Sequence, residues 1–195
     1  MPPKFKFTRE EILSAAVDIV RSDGESGLTA RALATRLGTS VKPIFGQFKN
    51  MDELRLEVKE EATRRWHAMT AKEMERGEYP KYKASGMAYV RFAAEEPNLF
   101  LLIFMRNRGG IADDGDDPMT DELVRMIAKQ NGLSLKRAWL LHLETWIYVH
   151  GIASMIATGY LNWDMNFVSD ALSDCYLALR ERHIKEEAAN EHNKD

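Results

Sequence analysis

The sequence holds one cysteine, Cys175, among 195 residues. One thiol excludes an intramolecular disulfide and a cysteine-built zinc site, and it makes a reducing, cytoplasmic compartment the expected setting. No stretch approaches the roughly 18 consecutive apolar residues that a membrane span requires. The opening "MPPKFKFTREE" has no apolar signal core, so no secretion signal is expected. Also missing are a Gly-rich phosphate loop, a nucleophile elbow and an HExxH zinc pair, so an enzyme is not expected and no cofactor is called for. "HLETWIYVH" contains two histidines and a glutamate, but their spacing does not converge on a metal. Runs of alternating apolar residues that would signal strands are lacking too.

What is present is a globular composition, 45% hydrophobic and 29% charged, with a net charge of −3. The charge is unevenly spread. Through residue 50, Lys4, Lys6, Arg9, Arg21, Arg31, Arg36, Lys42 and Lys49 outnumber Glu10, Glu11, Asp18, Asp23 and Glu25. A positive head on a negative remainder suits a chain that brings one end to a polyanion.

Almost every segment has helical periodicity. Thr8 and Glu11 have capping-box spacing, and Ile12, Ala16, Ile19 and Val20 then make one apolar face before "SDGESG" ends the helix. Thr29 is placed to cap a second helix with Ala30, Leu33, Ala34 and Leu37 inward, and Gly38 ends it. Ser40 is placed to cap a third, in which Pro43 falls in the first turn. Ile44 and Phe48 share its inner face there, with Lys42 and Gly46 opposite. A fourth helix opens at Asn50 or Asp52 and runs to about Gly77, too long and too charged to be wholly internal.

"KASGMAYVRFAAEE" is an amphipathic helix closed by Pro97, and "NLFLLIFM" is apolar on nearly every side. "RNRGGIADDGDDPM" reads as a loop; its Asp cluster lacks the ligand spacing of a calcium site. Helices follow over "TDELVRMIAKQ", from about Ser134 to Tyr160, and from about Asp164 to Lys185, with "EEAANEHNKD" expected to fray. The fold class is all-α: three short helices, a connecting helix, and five more.

The second and third helices, joined by a tight turn at Gly38-Thr39, form a helix-turn-helix pattern, an arrangement that sets its second helix in the DNA major groove. "TREEILSAAVDIVRSDGESGLTARALATRLGTSVKPIFGQFKNMDEL" resembles the N-terminal DNA-binding domain of the TetR family of transcriptional regulators. The likeness is carried by Ile12 to Ala16, Gly24, Leu28-Thr29, Ala34, Leu37-Gly38, Ser40, Ile44-Phe45 and Phe48-Lys49-Asn50. It implies a DNA-binding domain over residues 1–51 and a ligand-binding and dimerisation domain over 52–195. It further implies a homodimer on a palindromic double-stranded DNA operator, most simply a repressor released by a small-molecule effector.

Residue by residue, the resemblance assigns Thr29 to a phosphate, Val41, Lys42, Pro43 and Gly46 to the groove, and Gln47 to the DNA backbone. Thr39, Ser40, Phe45 and Lys49 complete that surface, and Lys4 and Lys6 form either an arm toward the minor groove or a solvated basic tail. Two positions depart from the family: Phe45 stands where Tyr is usual, and Met51 where Lys is common. Both remove a phosphate donor, which keeps open a second reading, a helical small-molecule-binding protein with weakened or lost DNA binding.

Toward the C-terminus, "LHLETWIYVHGIASM" resembles a subgroup named for its Trp and His-Gly residues. That implies a four-helix dimer interface built from the last two long helices, with Gly151, Ser154 and Thr158 permitting close approach. Val168, Ala171, Leu172, Cys175 and Leu179 form an apolar stripe suited to the same interface, with burial inside one subunit the alternative for some of them. Phe100, Phe104, Met105, Trp139, His142, Trp146, His150 and Met155 make an aromatic and Met-rich set suited to a mostly apolar ligand pocket. The alternative for each is ordinary core.

Overall fold

The computed structural model describes residues 7–105 and 118–192. Among them are eight α-helices and no strand. The chain divides into two compact units. One comprises Met1–Ala68 with Glu95–Arg106, the other Met69–Ala94 with Asn107–Asp195.

In the first unit, α1 (Arg9–Asp23) starts at the expected capping box. Glu11 N–H reaches the Thr8 hydroxyl at 3.2 Å, and Thr8 N–H reaches the Glu11 carboxylate at 2.8 Å. Its inward face is Ile12, Ala16, Val17, Ile19 and Val20. α2 (Ala30–Arg36) is capped by Thr29, whose hydroxyl accepts the Ala32 N–H at 3.1 Å. It ends in a Schellman motif: Gly38 N–H returns to Thr35 C=O (3.1 Å) and Thr39 N–H to Ala34 C=O (2.9 Å). Gly38 has φ +61°, so this turn needs a residue without a Cβ.

α3 (Met51–Arg76) is capped by Asn50, whose side chain accepts Glu53 N–H at 2.9 Å. Leu54, Val58 and Ala62 on this helix are buried in the first unit. α5 (Pro97–Phe104) packs on α1, with Leu99, Phe100, Leu102 and Ile103 buried as its all-round apolarity requires. Arg21 pairs with Glu96, and the Asn98 amide donates to the Arg21 carbonyl at 2.9 Å. By packing, then, α5 belongs with the head helices although it follows α4 in sequence.

The second unit holds α4 (Lys81–Glu95, through Ala94), α6 (Pro118–Asn131), α7 (Leu135–Ala157) and α8 (Met165–His192). Val124, Ile127, Leu133, Ala138 and Leu141 form a core cluster. Tyr82, Tyr176, Leu179 and Ile184 pack against it. A Cβ on Gly86 of α4 would lie 3.4 Å from Leu172 of α8 and 3.8 Å from Val149 of α7, so three helices converge at that glycine.

α8 continues past the expected end near Lys185. Glu187 accepts the Ser134 N–H at 2.7 Å and pairs with Arg137, which also binds Glu186. These contacts hold the tail's first turns against the start of α7, where fraying was expected. No helix among the described residues is long and apolar enough to cross a membrane.

Candidate functional site

The segment expected to be a third α-helix is a tighter structure, a 3₁₀ turn at Ile44–Gly46 flanked by turns. Ile44 and Phe45 N–H both point to Val41 C=O (3.2 and 3.3 Å). Gly46 N–H is shared by Lys42 and Pro43 C=O, and Gln47 and Phe48 N–H both use Ile44 C=O. Pro43 brings no N–H, and i→i−3 bonds from Ile44, Gly46 and Gln47 compete with the i→i−4 bonds of Phe45, Gly46 and Phe48, which tightens the segment. The position preceding the 3₁₀ turn is Pro43, without a side-chain cap, so the capping expected of Ser40 does not occur.

The sidedness expected of this segment survives the change of helix type. Ile44 (0% exposed) and Phe48 (1%) are buried. Val41, Lys42, Phe45, Gly46 and Lys49 are exposed, as is Ser40, while Thr39 and Pro43 are half-buried. Two large apolar side chains, Val41 and Phe45, therefore stand in solvent beside Lys42. Thr29 is exposed, and since its oxygen accepts Ala32 N–H, its hydroxyl proton is left to donate outward. Thr29 also lines an open groove of about 520 Å³ with Arg31, Thr35 and Arg36. Arg31, counted above only toward the charge of the head, shares the exposed face of α2 with Thr35. Lys4 and Lys6 lie outside the described residues.

Gln47 is not an outward-reaching group. It is half-buried, and its side-chain amide donates to Phe7 C=O at 3.1 Å. Its own carbonyl accepts an N–H of Arg9, a residue that sequence reading left unassigned. Arg9 also bonds Glu57 and Glu53 of α3, and its guanidinium lies 4.1 Å from the centre of the Phe48 ring. These bonds raise the Arg9 pKa and lower that of Glu53.

The eight ligand candidates divide between the two units. In the first, Phe100 is fully buried, Phe104 stacks obliquely on it and meets Trp66 edge-on at 5.1 Å, and Met105 is exposed. In the second, all five lie on α7. His142 Nδ1 pairs with the Tyr82 hydroxyl at 3.1 Å, and His150 Nδ1 with the Tyr89 hydroxyl at 2.9 Å, so two Tyr–His rungs tie α4 to α7. Trp146 stacks on His150 with ring centroids 4.8 Å apart. Trp139 and Trp146 are exposed, and Met155 is half-buried. Burial lowers the His150 pKa, favouring the neutral ring, and raises that of Tyr82.

Buried polar atoms without a hydrogen-bond partner occur elsewhere in that unit, on Thr70 Oγ1, Glu73 Oε1 and Arg91 Nε. Glu73 is 5% exposed, its other oxygen 3.2 Å from Arg76 and 3.7 Å from Arg91. Among the described residues no group of three acidic, His or Cys side chains is arranged to hold a metal.

The dimer candidates also split. Gly151 and Ser154 are half-buried and Thr158 exposed on α7. Val168 (0% exposed) and Leu172 (5%) are instead consumed by their own unit's core, and Leu179 packs on the α6–α7 cluster. The apolar stripe of α8 thus faces inward, within its own unit, at Val168, Leu172 and Leu179. Ala171 and Cys175 sit half-buried at its edge, and burial raises the Cys175 thiol pKa. Exposed instead are Ile147 on α7 and Phe167 and Leu177 on α8.

Residues 82–177 match the family model described as "Tetracyclin repressor-like, C-terminal domain". Among solved structures, a TetR-like transcriptional regulator from Rhodococcus sp. RHA1 is 17% identical, with 92% of this chain and 99% of that one covered at a TM-score of 0.62. A TetR family protein from Vibrio parahaemolyticus is 19% identical, with 86% and 96% covered at a TM-score of 0.60. No curated protein sequence matches the chain. At these identities the structures establish the fold, and the family model places the C-terminal half. Residues 82–177 thus carry a tetracyclin repressor-like C-terminal domain, on a chain whose fold is that of the TetR-like regulators.

Proposed function

We propose that the protein is a cytoplasmic, ligand-responsive transcriptional regulator that binds a palindromic operator as a homodimer and is released by a small, largely apolar effector. The observation that carries the reading is the sorting of the segment after Gly38. Ile44 and Phe48 anchor it, while Val41, Lys42, Phe45, Gly46 and Lys49 stand in solvent on a basic head. Lys42 suits guanine O6/N7 or a phosphate, and Val41 and Phe45 suit thymine methyl groups and sugar edges. Thr29, with Arg31 beside it, suits the phosphate backbone.

For the dimer, α7 offers Leu140, Leu143, Ile147, Gly151, Ser154 and Thr158, half-buried or exposed and each three or four residues from the next, a seam for a second helix. Assignment to the Trp/His-Gly subgroup belongs to the same proposal. Effector release requires a ligand that favours the form whose recognition turns are wrongly spaced for DNA. α3 begins in the first unit and ends in the second, which suits it to carry that change.

Selection of duplexes from a random-sequence library with the purified protein tests the reading. Enrichment of a palindrome with half-sites about 10 bp apart is the expected result. Sedimentation should show a dimer alone and on the duplex. If no duplex is enriched even at low salt, the protein is instead a helical small-molecule binder. The missing phosphate donors at Phe45 and Met51 would then mark a DNA-binding head that has lost its role.

A further inference from the structure

We propose that Arg9 is a positioning residue for DNA recognition, fixing the groove-facing turn to α3 without touching DNA itself. The inference rests on the DNA-binding reading above and adds to it a residue that composition, spacing and family likeness left unassigned.

The geometry is specific to a guanidinium. Arg9 is the first residue of α1, where the Thr8–Glu11 capping box fixes its backbone. Nη1 donates to the carbonyl of Gln47, at the end of the groove-facing turn. Nε donates to the Glu57 carboxylate at 3.1 and 3.2 Å, and Nη2 donates to Glu57 and, at 2.6 Å, to Glu53. The flat face of the group lies over the Phe48 ring. One planar fork thus joins the start of α1, the end of the turn and the first turns of α3, a task that a single ammonium cannot perform.

The turn has need of such a clamp. Its backbone bonding is bifurcated and irregular, so carbonyls at its end lack regular helical partners. Arg9 satisfies the Gln47 carbonyl, and Glu53 additionally binds the Lys49 N–H, so the exit from the turn is held from both sides. Charge argues that geometry is what matters here. Two carboxylates accompany one guanidinium, so the cluster is net negative on a surface meant for phosphate, and Arg9's donors point to protein acceptors.

The test uses the full-length protein and a duplex selected by the wild type from a random library. Fluorescence anisotropy is recorded over a series of salt concentrations. Glu57→Ala and Glu57→Gln remove the same negative charge, but only Gln keeps an acceptor for Arg9. Positioning predicts that Glu57→Ala weakens binding about tenfold while Glu57→Gln stays nearer the wild type. Arg9→Gln should weaken binding at least as much, with the slope of log affinity against log salt unchanged, and Arg9→Lys should not rescue it. Tighter binding by Glu57→Ala would show that bulk charge governs the site, and the proposal would fall. A salt slope reduced by about one in Arg9→Gln would make Arg9 a direct phosphate ligand and overturn it equally. Failure of the wild type to select any duplex removes the DNA reading, and Arg9's role with it. Failure of the Glu57 series alone leaves that reading intact.

Discussion

The groove-facing turn of the head and α7 of the body both expose large apolar side chains, but their sidedness is set in different ways. In the turn, Val41 and Phe45 are 41% and 43% exposed, while Ile44 and Phe48, within a few residues, are fully enclosed. One short element decides both faces. On α7, Trp139 and Trp146 are 43% and 39% exposed, and the polar residues among them, His142 and His150, are satisfied by tyrosines of a helix some 60 positions away. Sidedness there depends on which helix arrives. The sidedness of the turn is legible within its own dozen residues, even though Arg9 helps to cover Phe48; that of a long helix is set by distant sequence.

The largest effect that could break this comparison is at Phe48. Truncation to alanine removes a fully buried ring and the surface on which the Arg9 guanidinium rests, and should cost about 3–5 kcal/mol. Trp146→Ala, in the body, removes a larger but exposed ring that stacks on His150, and should cost within about 1 kcal/mol. Denaturant unfolding of the two variants measures the difference. Equal losses would mean that exposure on α7 does not mark a dispensable side chain, and the contrast would fail.

A middle-sized effect sharpens the body's side of the comparison. Tyr89→Phe deletes the hydroxyl that pairs with His150 and should cost about 1 kcal/mol. The rung also has a pH signature. Burial holds the His150 pKa below its ordinary value, so the unfolded chain takes up a proton at higher pH than the folded one. Stability is therefore lost as pH falls through about 6.5 toward the lower folded value, and is retained above it. Comparing unfolding midpoints at pH about 7.5 and about 5.5 should show a decline in the wild type that is smaller in His150→Gln. If the substitution leaves the decline unaltered, other groups govern the acid response and the rung is not a pH-sensitive joint.

The same contrast explains what was readable from the sequence. Thr8 with Glu11, Thr29, Gly38 and Ser134 all signal through bonds spanning three to five residues, and each does what its position requires. The third element differs from expectation in type but not in sidedness, because Ile44 and Phe48 keep the same face under either bonding pattern. Arg9 was illegible because its partners lie 38 to 48 residues away. Val168 and Leu172 show the limit most directly. Their periodicity on α8 is real, but it cannot say whether the apolar stripe meets a second subunit or α4, where Gly86 opens the space that Leu172 approaches. The helical tail to His192 likewise depended on Ser134 and Arg137, half a hundred residues upstream.

The smallest expected effect on stability concerns Gly46. Among the described residues five glycines, Gly24, Gly38, Gly77, Gly132 and Gly159, have positive φ, and Gly46 is not among them. Its backbone is one that alanine can adopt, and its N–H already bonds to Lys42 and Pro43 C=O. Replacement by alanine should thus restrict the unfolded chain at no cost in strain, raising stability by about 0.5–1 kcal/mol. Stability alone would favour the substitution. Gly46 is exposed on the side opposite Ile44, and a methyl group there would keep the turn's backbone from approaching a base edge closely. Gly46→Ala should therefore be slightly more stable in thermal unfolding yet bind the selected duplex more weakly. Gly38→Ala should do the reverse to stability, since φ +61° strains any side chain. If Gly46→Ala binds the duplex as tightly as the wild type, the glycine is incidental to recognition, and the face shared by Lys42, Val41 and Phe45 does not approach DNA through position 46.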